Sequence, residues 1–155
     1  MKVFNILLVL TSFYFLNSCS ASKMSQAMSL HKANLSKALT LNEDPSKQMD
    51  ILGETYVQVI NEALSYGSIK NSVKHIKTFS KQNKPELDAI MKNLNNWTAD
   101  FEPAEKLMII GKLASKPYAS ELLSLVPKLE RKVNRRVSTF TFLSQFVDIF
   151  SLKLF

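Results

Sequence analysis

The stretch that decides the fold is "DPSKQMDILGETYVQVINEALSYG", residues 44–67. Apolar side chains recur in it at Met49, Leu52, Tyr56, Val59, Ile60 and Ala63. Steps of three and four are the period of an α-helix with one buried face. Asp50, Glu54, Gln58 and Asn61 fall on the opposite side. The ends agree with the period. Asp44 is placed to cap the first turn, and Pro45 holds the first helical position, where its missing N–H costs no bond. Gly67 stands where a helix C-terminus often takes a left-handed residue. The stretch therefore reads as an amphipathic helix over 45–66.

Outward from it, the pattern repeats. Five prolines, at 45, 85, 103, 117 and 127, punctuate the chain, and only three glycines occur, at 53, 67 and 111. Residues 22–39 put Met24, Ala27, Met28, Leu35, Ala38 and Leu39 on one side. Residues 68–82 offer Ile69, Val73, Ile76 and Phe79, and a helix from about 85 offers Leu87, Ile90, Met91, Leu94 and Trp97. Residues 103–115 carry Leu107, Ile110 and Ala114, widened by Met108, Ile109 and Leu113. The last segment starts near Pro117 and runs, kinked at Pro127, to about Phe150. Short connections between such helices predict an all-α fold, a compact bundle of five to six helices. A helical-repeat solenoid is the other arrangement open to paired helices, although no internal repeat stands out.

The N-terminus has a different character. Met1 and Lys2 are followed by a nearly unbroken apolar run from Val3 to Leu16, then by Asn17, Ser18 and Ser20. That order is the pattern of a secretory signal peptide, and the run is shorter than the roughly 20 apolar residues of a spanning helix. Cys19, the one cysteine of the chain, stands at its end. Leu16-Asn17-Ser18-Cys19 resembles the lipobox of bacterial lipoproteins, with Asn17 a less usual middle residue. The resemblance covers the leader only. It implies cleavage before Cys19, a lipid on its sulfur and a single domain over 19–155, with about 19–29 as a slack tether. With Ser20, Ala21 and Ser22 next, it also implies outer-membrane sorting. The alternative is a cut before Ala21, which discards Cys19 and frees the domain. Either way the exported domain has no disulfide and must rest on packing.

The formal charge of +7 falls by one with the leader. For an exported chain it points away from nucleic acid and toward anionic lipid, envelope polymers or acidic proteins. Most lysines read as solvated helix faces. Catalytic signals are missing from the pattern. His31 and His75 have no acidic residue within four positions, stand far apart and read as solvated surface residues, so neither a metal site nor a cofactor is expected. Asp50 and Glu54 share a helix face, but a polar one, whereas glycan hydrolysis wants one buried carboxyl. Glu102 and Glu105 suit the first turn of a helix. Trp97 reads as a core or rim residue before a stacking platform.

One segment stands apart. "PKLERKVNRRV" sets Lys128, Arg131, Lys132, Arg135 and Arg136 against Glu130, and five phenylalanines follow before the end. At 100° per residue, Val126, Leu129, Val133, Val137, Phe140, Leu143, Val147 and Leu154 form a core stripe. Lys128, Arg131 and Arg135 lie opposite, continued by Phe142, Phe146 and Ile149. This outer face is either buried all round or a contact for a partner or an anionic bilayer. The alternating "VSTFTF", 137–142, also admits a strand.

The sequence thus predicts a membrane-anchored envelope lipoprotein, periplasm-facing or surface-exposed. Its helical domain is expected to act as a non-catalytic binding or assembly module with a protein partner in the envelope. Rivals are a surface-displayed ligand or host-factor binder and a small periplasmic hydrolase of envelope polymers. For a contact face, Phe142→Asp with Phe146→Asp is expected to leave the helical CD signal and melting temperature nearly unchanged. A collapse of the melt would assign both rings to the core.

Overall fold

The computed structural model describes residues 22–41 and 44–133. Within them lie six helices: α1 over 22–40, α2 Pro45–Ser65, α3 Ile69–Gln82, α4 Lys84–Thr98, α5 Pro103–Ala114 and α6 Pro117–Val133. No strand occurs among the described residues, and the fold is a compact all-α bundle.

α2 is the helix on which the others pack. Asp44 caps it, its Oδ1 accepting the Lys47 N–H at 3.1 Å. All six apolar positions expected inside it are buried, from Met49 through Ala63. The face is wider than the stripe, because Gln48, Gly53, Thr55 and Val57 are buried as well. α6, α3 and α4 lie against it. The expected glycine cap is corrected: Tyr66, in an extended conformation, closes α2, and Gly67 is not left-handed. The carbonyls that the end of α2 leaves open are met from α6 instead. Lys132 Nζ donates to the carbonyls of Leu64 and Tyr66, a cation where the helix dipole is negative.

α1 is helical from 22 onward, and Met24 and Met28 are buried in its first turns. The tether expected through residue 29 is thereby corrected for 22–29. At its other end, the buried Gln48 donates through Nε2 to the Ala38 carbonyl at 3.0 Å, tying α1 to the start of α2. α3 is capped by Ser68, whose side chain accepts the Asn71 N–H. Its buried face is turned from the expected one. Ile69 is 52% exposed, while Ser72 and His75 join Ile76 and Phe79 inside. Asn83 alone joins α3 to α4, both its backbone and its side-chain N–H donating to the Phe79 carbonyl.

α4 buries Leu87, Ile90 and Leu94 as expected, with Met91 and Trp97 partly buried against the core. Trp97 meets Phe101 edge-on at 5.3 Å, a rim position. α5 departs most from its expected stripe. Only Leu113 is buried; Leu107 and Met108 are 61% and 64% exposed, and Ala114 is exposed too. Glu105 lies in the first turn as read, whereas Glu102 is the N-cap, its N–H donating to Glu105 Oε2 at 2.9 Å. α6 continues through Pro127 and buries Leu122, Leu125, Leu129 and Val133.

α2 and α6 pack tightly at Gly53. A Cβ at Gly53 would lie 2.4 Å from a ring carbon of Tyr118, so only glycine lets this ring lie on α2. That ring is buried and its hydroxyl is bonded, so it cannot swing away freely. Gly53→Ala gains helix propensity of up to about 1 kcal/mol but overpacks at a cost of about 1–3 kcal/mol. Net destabilisation is expected in a thermal melt. Gly111→Ala, where a Cβ meets nothing within 4 Å, is expected to stabilise by about 0.5–1 kcal/mol.

Candidate functional site

Three helices bring one polar cluster into the interior. His31 of α1 and His75 of α3 are both 0% exposed, and the side chain of Glu62 on α2 is 33% exposed between them. His31 Nε2 lies 2.8 Å from Glu62 Oε2 and makes a hydrogen bond to it. His75 Nε2 lies 2.9 Å from the same oxygen but is not aimed along a hydrogen bond. The reading of both histidines as solvated surface residues is corrected. They share one carboxylate, 31 residues from His31 and 13 from His75, so no local spacing could pair them. The signal that sequence reading missed is the helical period of α2: Glu62 is two residues past Ile60 and next to Ala63, at the border of the buried stripe.

Aromatic rings enclose the cluster. His31 and His75 meet edge-on with centroids 6.3 Å apart. Phe79 stands perpendicular to His31 at 5.6 Å and packs in turn against Tyr56. Tyr66 lies over His75 at 5.3 Å, its hydroxyl 3.4 Å from His75 Nδ1. Burial lowers the pKa of His75 below the ordinary imidazole value. The Glu62 carboxylate opposes that shift, and His31 adds to it. Burial, then Glu62, raises the Tyr66 pKa, so this hydroxyl keeps its proton. The tautomer of His75 follows from these neighbours. Tyr66 donates to Nδ1, and Nε2 carries the proton that faces the carboxylate; the reverse would set a lone pair against a negative oxygen. His31 Nδ1 is buried with no hydrogen-bond partner.

The arrangement has two chemical uses. It gives a partly exposed carboxylate one imidazole hydrogen bond, from His31, with the His75 ring beside it, and it gathers two nitrogens and one oxygen that are also metal ligands. Each ligand sits on a different packed helix, which fixes its position.

The expected pair Asp50 and Glu54 behaves differently. Asp50 is half-buried and engaged: Lys116 Nζ donates to Oδ2 at 2.8 Å and the Tyr118 hydroxyl to Oδ1 at 3.2 Å. Burial and then Asp50 push the Tyr118 pKa well above the ordinary phenol range, so it remains a donor. Glu54 is exposed. On α6, Lys128 and Arg131 are exposed as expected, whereas Lys132 caps α2. Arg135, Phe142, Phe146 and Ile149 lie outside the described residues, as do Cys19 and the apolar run before it. No family model, curated protein or solved structure matches this chain.

Glu62→Ala is expected to leave the His31 ring nitrogen buried without its hydrogen-bond partner, at about 1–3 kcal/mol. Denaturant unfolding measures the loss. Glu62→Gln, which keeps an acceptor oxygen, is expected to lose less.

Proposed function

We propose that this chain is a lipid-anchored lipoprotein of the bacterial cell envelope whose helical domain is a non-catalytic binding or assembly module. The observation that carries the reading is the position of the one thiol. Cys19 closes an apolar leader at Leu16-Asn17-Ser18-Cys19, the place where a lipobox needs it, and no second cysteine exists. Lipid on that sulfur contributes roughly 0.8 kcal/mol per buried methylene, and two or more chains hold a protein on a bilayer. Among the described residues no helix is long and apolar enough to cross a membrane.

Two features support binding over hydrolysis of envelope polymers. Asp50 is already engaged by the Lys116 ammonium and the Tyr118 hydroxyl, and Glu54 is exposed, so the pair does not offer the buried free carboxyl that glycan hydrolysis wants. The exposed cations Lys128 and Arg131 lead α6 toward the phenylalanine-rich residues, a sequence that suits a protein partner or an anionic surface.

In cells fed labelled palmitate, the wild-type chain is expected to carry label and to sediment with membranes. Cys19→Ser is expected to carry none and to leave the membrane fraction. A labelled Cys19→Ser protein, or an unlabelled wild type, removes the anchor. Protease treatment of intact cells then separates a surface-displayed domain, which is lost, from a periplasm-facing one, which survives.

A further inference from the structure

We propose that His31, Glu62 and His75 form a binding site for a single Zn2+ ion. The inference goes beyond the anchored-module reading and does not depend on it.

Donor chemistry comes first. Two imidazoles and one carboxylate are a ligand set that zinc takes in sites where a fourth position stays open. The three donor atoms, His31 Nε2, His75 Nε2 and one Glu62 oxygen, all lie within 4.8 Å of one another. Zinc bonds of about 2.0–2.1 Å at a tetrahedral angle set ligand atoms roughly 3.3 Å apart. The two N–O distances here, 2.8 and 2.9 Å, are shorter than that. The carboxylate must therefore withdraw by about half an ångström relative to the zinc-ligand spacing. Glu62 has the room, since its side chain is partly exposed while both rings are enclosed.

Geometry then favours an ion over a shared proton alone. His75 Nε2 is close to Oε2 without being aimed at it. A hydrogen bond needs that aim at the oxygen itself, whereas an ion sits off the N–O line, and each imidazole lone pair is aimed at the ion instead. Rigidity adds to the case. The ligands stand on α1, α2 and α3, and Phe79 and Tyr66 pack against the two rings, so little ordering entropy is left for the ion to overcome. Tyr66 supplies the outer partner. With His75 bound through Nε2, its Nδ1 carries the proton and donates to the Tyr66 oxygen, 3.4 Å away in this structure. The fourth position falls on the partly exposed Glu62 side, where water can complete the tetrahedron.

The test uses the full chain in detergent, carrying Cys19→Ser so that no thiol competes, stripped with chelator and titrated with Zn2+ and with Co2+. One equivalent of Zn2+ is expected to bind and to raise the melting temperature, and Co2+ is expected to give the intense visible absorption of a four-coordinate site. His75→Gln and Glu62→Gln are expected to weaken Zn2+ at least about 100-fold, beyond the 10–100-fold typical of an outer-shell loss, and Tyr66→Phe about 10-fold. Should a ligand variant lose its helical CD signal, Tyr66→Phe and the wild-type titration still decide. Absence of stoichiometric binding, or equal binding by wild type, Tyr66→Phe and the folded ligand variants, overturns the site and leaves a proton-sharing network only.

Discussion

The bundle depends on the burial of α2. Its apolar stripe from Met49 to Ala63 is almost wholly removed from water, and α6, α3 and α4 are arranged around it. A chain with one cysteine has no internal disulfide to fall back on, so this packing carries the stability of the domain. Close contact has its own demand. Gly53 lets the Tyr118 ring rest on α2, and the same ring then reaches Asp50 with its hydroxyl. One missing Cβ thus positions a helix pair and satisfies a half-buried carboxylate.

A helix surrounded on several sides must also place its polar border residues. Three of them do so by binding other helices. Gln48 donates to the Ala38 carbonyl of α1, Asn61 donates to Glu121 of α6 at 3.0 Å, and Glu62 receives the histidines of α1 and α3. These contacts select register and orientation more than they add stability, because each replaces hydrogen bonds to water. The Glu62 cluster differs in degree. Two wholly buried imidazoles and a partly exposed carboxylate form a concentrated polar interior, and such a group is tolerated only where its members satisfy one another or hold an ion.

The same physics explains which parts of the sequence were legible. The α2 stripe was, since six apolar positions at one period leave little choice of face. The buried positions of α4, the cap at Asp44 and the first-turn Glu105 were too, being local in the chain. α5 was not. It is apolar around most of its surface, so its pattern names no single face, and it packs mainly on α6 with Leu107 and Met108 outward. α3 was read with a face turned from the true one, because Ile69 and Val73 outweigh Ser72 and His75 on any hydropathy count, yet the latter two are buried.

The sequence by itself determined the helical class, the dominant helix and its inward face, because these follow from 3.6-residue periodicity and from capping chemistry within a few residues. It also set one thiol just after an apolar N-terminal run. Tertiary structure alone decided the fate of His31 and His75. Each is a polar residue with no acidic neighbour along the chain, and only the crossing of α1 and α3 over α2 gives them a common carboxylate. Long-range pairing is set by how helices pack in three dimensions, and no one-dimensional period records it.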